Sequence, residues 1–468
     1  MLSSNMKIKE KNSEIFDGIK RAFVEFLTLP TLMIVGFLLL AVFTYAIDKV
    51  KIEWLQPLRQ ILKQHVFADA KATSDLLGAV SAGIISVTSI TITLLLIVVQ
   101  QSAASMTAQV FDQFLRRKTN QFYFGFFVGL ALYSLITLAT VNDPFNPVLG
   151  GTFAIAFTVV ALYLLVLLMY TTINQMRPVE IIEAIHKHIL SSRIAQLKMI
   201  EQTVHASAFE GKFSKQIKSE KHGYVAKINI EKIGSAIQNV NETEVVLLVS
   251  TGSYIAYGDE LALIKTNNNA ETETICKAVL QAINIDRQRD VEYDTAYGIQ
   301  QLEMIAWTSI STAKSSPAPG LLAIRSLRNI LSRWSLEEPE NGSVKLPIIY
   351  TDNTMEKLMD TIETLAVVSS ESMQHQNFIE VITTVTIMFE RLPKKWQERA
   401  EDMLLRILSA LGDHVLTAEL EKALSVLIKK LNATGRVDTA DAVQKALKQL
   451  SQSVGKLNSR ATRVPRGS

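Results

Sequence analysis

Residues 76–99, LLGAVSAGIISVTSITITLLLIVV, decide the fold. The run is far too long for a buried strand, and it exceeds the roughly 20 apolar residues that cross about 30 Å of hydrocarbon. It therefore reads as a membrane helix. No charge occurs from Leu76 to Phe111, and an unbroken helix over that stretch would run about 54 Å at 1.5 Å per residue. The excess predicts that QQSAASMTAQ (100–109) carries the helix out of the lipid.

Three further stretches qualify as spans by the same rule: 29–47, 122–141 and 148–172. All four crowd into the first 175 residues, and charge is dense in the remainder. A membrane domain followed by a charged, folded part is the expected layout. The loop NDPFNP (142–147) has no lysine or arginine, whereas Arg116, Arg117 and Lys118 lie between the second and third spans. The positive-inside rule then puts both termini in the cytoplasm. The 48–75 loop dissents, because Lys49, Lys51, Arg59, Lys63 and Lys71 would fall outside. At the N-terminus, Glu10 and Glu14 among the lysines argue for a retained anchor over a cleavable signal.

Placed at about 100° per residue, Gly78, Ala82, Ser86, Ser89, Thr93, Gln100, Ala104 and Thr107 share one arc of roughly 80° on the second span. Two readings stand. Small and hydroxyl residues let helices approach closely and bond across an interface. Alternatively, several subunits turn Ser86, Ser89, Thr93, Gln100 and Thr107 toward a common axis and line a path for an inorganic ion or small solute. No acid or base lies inside the spans to suggest a proton relay. In the third span Gly125 and Gly129 form a GxxxG packing motif.

Beyond the spans, 177–204 repeats apolar residues at helical spacing: Ile182, Ile185, Ile189, Leu197 and Val204. His186 and His188 are two apart and do not share a helix face, so a solvated face is favoured over a metal site. Strand-like HGYVAKINI (222–230) and EVVLLVSTGSYIAYGDELALI (244–264) follow; Val249, Gly252, Ile255, Gly258, Leu261 and Ile264 recur every third residue. That spacing is similar to the barrel-sandwich pattern of biotinyl and lipoyl carriers, without their modified lysine. From Glu271 helical patterns dominate, fitting a bundle or stacked pairs.

Composition excludes more than it assigns. A net charge of +3 from 48 basic and 45 acidic residues gives no field for nucleic acid. The one cysteine, Cys276, rules out an internal disulfide. No Walker loop, HExxH or GxSxG occurs, so neither an enzyme nor a cofactor or metal is expected. The C-terminal SRATRVPRGS (459–468) resembles the remnant of a cleavage tag.

Taken together, SAASMTAQVFDQFLRRKTNQFYFGFFVGLALYSLITL and DTAYGIQQLEMIAWTSISTAKSSP resemble the bacterial predicted integral-membrane family called domain of unknown function 2254. The likeness runs from the first span to about residue 335 and implies architecture and membrane location. It also implies an Asn-Asp pair before a proline after the YGI helix; here the matching residues are Ser315, Ser316 and Pro317. An acidic residue serving the family at that place is absent from this chain.

The expected fold class is a mainly α membrane protein: four transmembrane helices followed by a cytoplasmic small β-module and a helical domain. Its segments are a cytoplasmic N-terminal stretch (1–28), the transmembrane domain (29–175), an amphipathic helical connector (176–210), the β-module (211–268) and the helical domain (269–455). The expected function is an oligomeric channel of a bacterial inner membrane, with the lipid bilayer and further copies of the chain as partners. The alternative is a membrane-anchored cytoplasmic sensor or scaffold without transport.

Overall fold

The computed structural model describes residues 26–50, 56–105, 117–207, 209, 212–238, 240, 242–267, 271–289, 293–311, 316–335, 345–372, 374–411 and 415–453. The chain divides into two compact units, Met1–Glu180 and Ile181–Ser468.

The first unit contains α1 (Thr28–Lys49), α2 (Gln56–His65), α3 (Ala70–Ser105), α4 (Lys118–Ala139) and α5 (Val148–Gln175). Four of these, all but α2, are long and apolar enough to cross a membrane. The short α2 falls in a stretch whose sequence shows only a polar loop. Within the unit α4 is the hub: 56% of its most apolar window is buried, against 22%, 17% and 17% in α1, α3 and α5. It packs on α1, α3 and α5. Phe37 of α1 centres the core, with ring centroids 5.4 Å from Phe126 and 5.5 Å from Phe157 in edge-on geometry.

The second unit opens with α6 (Pro178–Glu201), whose Ile182, Ile185 and Ile189 are buried as the helical spacing predicts. It is more than a connector, since a Cβ on Gly298 would stand 2.3 Å from Ile189. Two small sheets follow. Strands β1 (Phe213–Lys218), β3 (Thr243–Leu247), β5 (Glu260–Thr266) and β7 (Ile348–Ile349) pair in the order β1-β5-β3-β7; β2 (Gly223–Ile228), β4 (Tyr254–Ile255) and β6 (Ile283–Asp286) pair as β4-β2-β6.

Alternation along the strands puts Ile217, Val245, Leu247, Ala262 and Ile264 inside. Against them pack Ile233 and Ile237 of α7 (Ile230–Ile237) and Ile275 and Val279 of α8 (Thr272–Ala282). Gly252 (φ +87°) and Gly258 (φ +89°) make the turns that produce the three-residue spacing. The likeness to carrier domains ends there, because helices interrupt the strands and β3 pairs with β7 in parallel. The sheets also extend past the expected 211–268: β6 and β7 both lie beyond residue 268.

Seven more helices complete the described chain: α9 (Thr295–Ser311), α10 (Ala318–Trp334), α11 (Thr354–Glu371), α12 (His375–Arg391), α13 (Lys394–Leu411), α14 (Ala418–Ala433) and α15 (Val437–Ser453). They stack in two layers: α9, α11, α13 and α15 touch in succession, and α10, α12 and α14 form the other row. Of the bundle and the stacked pairs that the sequence allows, the protein adopts the stack.

Candidate functional site

The hydroxyl stripe lies on α3, continuous from Ala70 to Ser105. Ser86, Ser89, Thr93 and Gln100 are all exposed, and Ala82 with them; none is covered by the chain's other spans. A Cβ added to Gly78 would meet nothing within 4 Å. Thr93 donates its hydroxyl to the Ser89 carbonyl at 2.9 Å, the back-bond that lets threonine sit in a membrane helix. Thr107 lies outside the described residues.

The opposite side of α3 does the packing, with Leu77, Ile84 and Leu95 buried in the core of the unit. Ser81 is also buried, and its hydroxyl has no hydrogen-bond partner. Thr88 lines an apolar cavity of ≈ 340 Å³ with Gly83, Ile84, Phe127, Thr158 and Leu162. Packing within the chain and the open stripe thus occupy different faces of one helix.

Gly125 and Gly129 both meet α1. A Cβ on Gly125 would come within 2.8 Å of the Pro30 Cα, and one on Gly129 within 2.4 Å of the Phe37 ring. Their role is close approach inside the chain.

One polar site escapes the sequence reading. The Asp48 carboxylate is fully buried and accepts from Arg59 Nη2 at 2.5 Å, from the Gly150 N–H at 2.9 Å and from the Leu149 N–H at 3.2 Å. It thereby caps α5, whose own N-cap residue, Pro147, offers no side-chain bond. Beside it the Tyr133 hydroxyl lies 3.1 Å from the Gly150 carbonyl and 3.2 Å from Thr44 Oγ1. The only sequence signal is an acid at the end of an apolar run, with its arginine eleven residues on.

In the second unit, His186 Nδ1 is 2.8 Å from Ser326 Oγ, and burial lowers its pKa. Among the described residues no three of His, Cys, Asp and Glu come together as metal ligands.

Asp352 bonds Arg193 Nη1 at 2.7 Å and the Thr354 N–H at 3.0 Å. Burial pushes its carboxyl up, but the Arg193 charge and these bonds outweigh that and hold it below the usual value. A depressed pKa stabilises the fold above the unfolded value, near 4, and that contribution is lost as pH falls through the folded one. Unfolding followed from about pH 6 downward should therefore show an acid-side loss that Asp352→Asn flattens. An unchanged acid slope in the variant would show that other carboxylates carry it.

A family model described as a predicted membrane protein, DUF2254, matches residues 24–371. No curated protein and no solved structure matches the chain.

Proposed function

This chain belongs to the DUF2254 family of predicted membrane proteins, and from that premise we propose that it is an oligomeric channel whose path is lined by α3. Copies of the chain turn Ser86, Ser89, Thr93 and Gln100 toward a shared axis, and the path carries an inorganic ion or small solute. The observation that carries this reading is that these four polar side chains are exposed while the same helix packs its unit with another face. Hydroxyl groups at the depth of the lipid gain from a second copy or a water-filled path, and Gln100 lies where the helix leaves the lipid.

The membrane in this reading is a bacterial inner membrane, with both termini and the second unit in the cytoplasm. The loop 142–147, free of lysine and arginine, against Arg116, Arg117 and Lys118 between the second and third spans supports it. The protein acts without catalysis, cofactor or metal.

A scaffold or sensor role is the second reading, favoured by Ile85, Ile90, Leu94 and Ile97, which are also exposed on α3 and suit lipid. Ser89→Leu and Thr93→Leu separate the two. In liposomes under ion gradients, each variant is expected to lower flux about tenfold or more while the oligomer persists on native mass analysis. Strictly monomeric wild-type protein, or no flux under any gradient, would sink the channel.

A further inference from the structure

Two helix ends converge in the second unit. Gly320 is the third residue of α10 and Asn377 the third of α12, and a Cβ on Gly320 would stand 3.1 Å from Asn377 Nδ2 and 3.0 Å from Ile310. The first turns of the two helices therefore meet, and a glycine lets the Asn377 amide lie against α10. Neither end is capped by a side chain: the N-cap residues Pro317 and Gln374 make no side-chain hydrogen bond, and neither first turn holds an acid. Each first turn carries N–H groups that its own helix cannot pair, together with the positive end of the helix dipole.

The Asn377 side chain adds a further donor at the same place. It is fully buried, and neither its Nδ2 nor its Oδ1 has a hydrogen-bond partner. Leaving such a group unpaired is costly, and a donor beside two positive helix ends calls for an acceptor that carries negative charge. The charges one turn further on are already paired: Glu380 of α12 holds Arg325 and Arg328 of α10 at 3.3 and 2.5 Å. Two helix ends of roughly half an elementary charge each sum to about one positive charge, which matches a monovalent anion better than a divalent phosphate. The close approach of Gly320, Asn377 and Ile310 favours a small one. Ser316, Ala318 and Gln376 are exposed, so ions from solvent reach both ends.

We propose that the converging ends of α10 and α12 bind a small monovalent inorganic anion of the halide class, held by the Asn377 amide N–H and the first-turn N–H groups. The site stands apart from the α3 stripe and does not depend on whether α3 conducts.

The full chain in detergent is moved from sodium gluconate to sodium chloride at constant ionic strength, and followed by chloride NMR line width and thermal unfolding. Wild-type protein is expected to show excess line width that saturates with chloride, and an unfolding temperature that rises as chloride replaces gluconate. Asn377→Asp puts a fixed negative charge at the site and should abolish both responses, whatever its own unfolding temperature. Asn377→Leu keeps the volume, removes the donor and should weaken chloride affinity about tenfold; it carries the comparison should Asn377→Asp not fold. No chloride response in the wild type would overturn the proposal and leave Asn377 as a cap for α10 alone. Equal responses in the wild type and the variants would overturn it as well, because chloride would then act elsewhere.

Discussion

Asp48→Ala is expected to cost about 3–5 kcal/mol of the membrane unit's stability, the usual penalty for breaking a buried ion pair from one side. The reason is what the alanine leaves behind. Arg59, with its side chain only 12% exposed, loses its counter-charge, and the Gly150 and Leu149 N–H groups at the start of α5 lose their acceptor. Asp48→Asn retains an acceptor oxygen without the charge and should fall between the two. Pairing Asp48→Ala with Arg59→Met removes the stranded cation and should recover part of the loss. Denaturant or thermal unfolding in detergent measures all four proteins. A loss for Asp48→Ala within about 0.5 kcal/mol, the range of an ordinary surface change, would mean that water reaches the site and solvates Arg59.

Gly125→Val and Gly129→Val come next in size, at about 1–3 kcal/mol each and more if α1 cannot retreat. Gly125 is the stricter test, because its added Cβ would meet the Pro30 backbone at 2.8 Å, and backbone cannot rotate away. At Gly129 the obstacle is the Phe37 ring, which is itself fixed by Phe126 and Phe157. Both variants should separate α1 from α4 and lower the unfolding midpoint without altering oligomer size, since both glycines face the chain's own helix. A variant that folds normally but changes oligomeric state would place a second copy against α4 instead.

The spans were legible because an apolar run of that length has few other ways to exist: its backbone satisfies itself and lipid accepts its side chains. The α6 register was legible for a similar reason, Ile182, Ile185 and Ile189 announcing one buried face. What stayed hidden depends on partners distant in sequence. Strand β7, two residues long, exists because Val245 and Val246 lie beside Ile348 and Ile349, about a hundred residues away. Helix α2 offers only ten residues, mostly polar, and Asp48 looks like a loop acid until α5 is brought to it. The stripe on α3 was visible as a pattern, but its exposure requires knowing which face the other spans take. An open hollow between Trp307 of α9 and Glu363, Thr364 and Val367 of α11 brings together residues more than fifty positions apart, with no periodicity to reveal it.

The family match ends at residue 371, the last residue of α11, yet the stack continues through α12 to α15. In such a stack each helix answers chiefly to its immediate neighbours. A lesion in α15 is therefore felt first by α13 and α14 and should weaken with each further contact toward α9 and the sheets. Substitutions in α14 and α15 should accordingly disturb the sheets less than substitutions in α9 or α11 do.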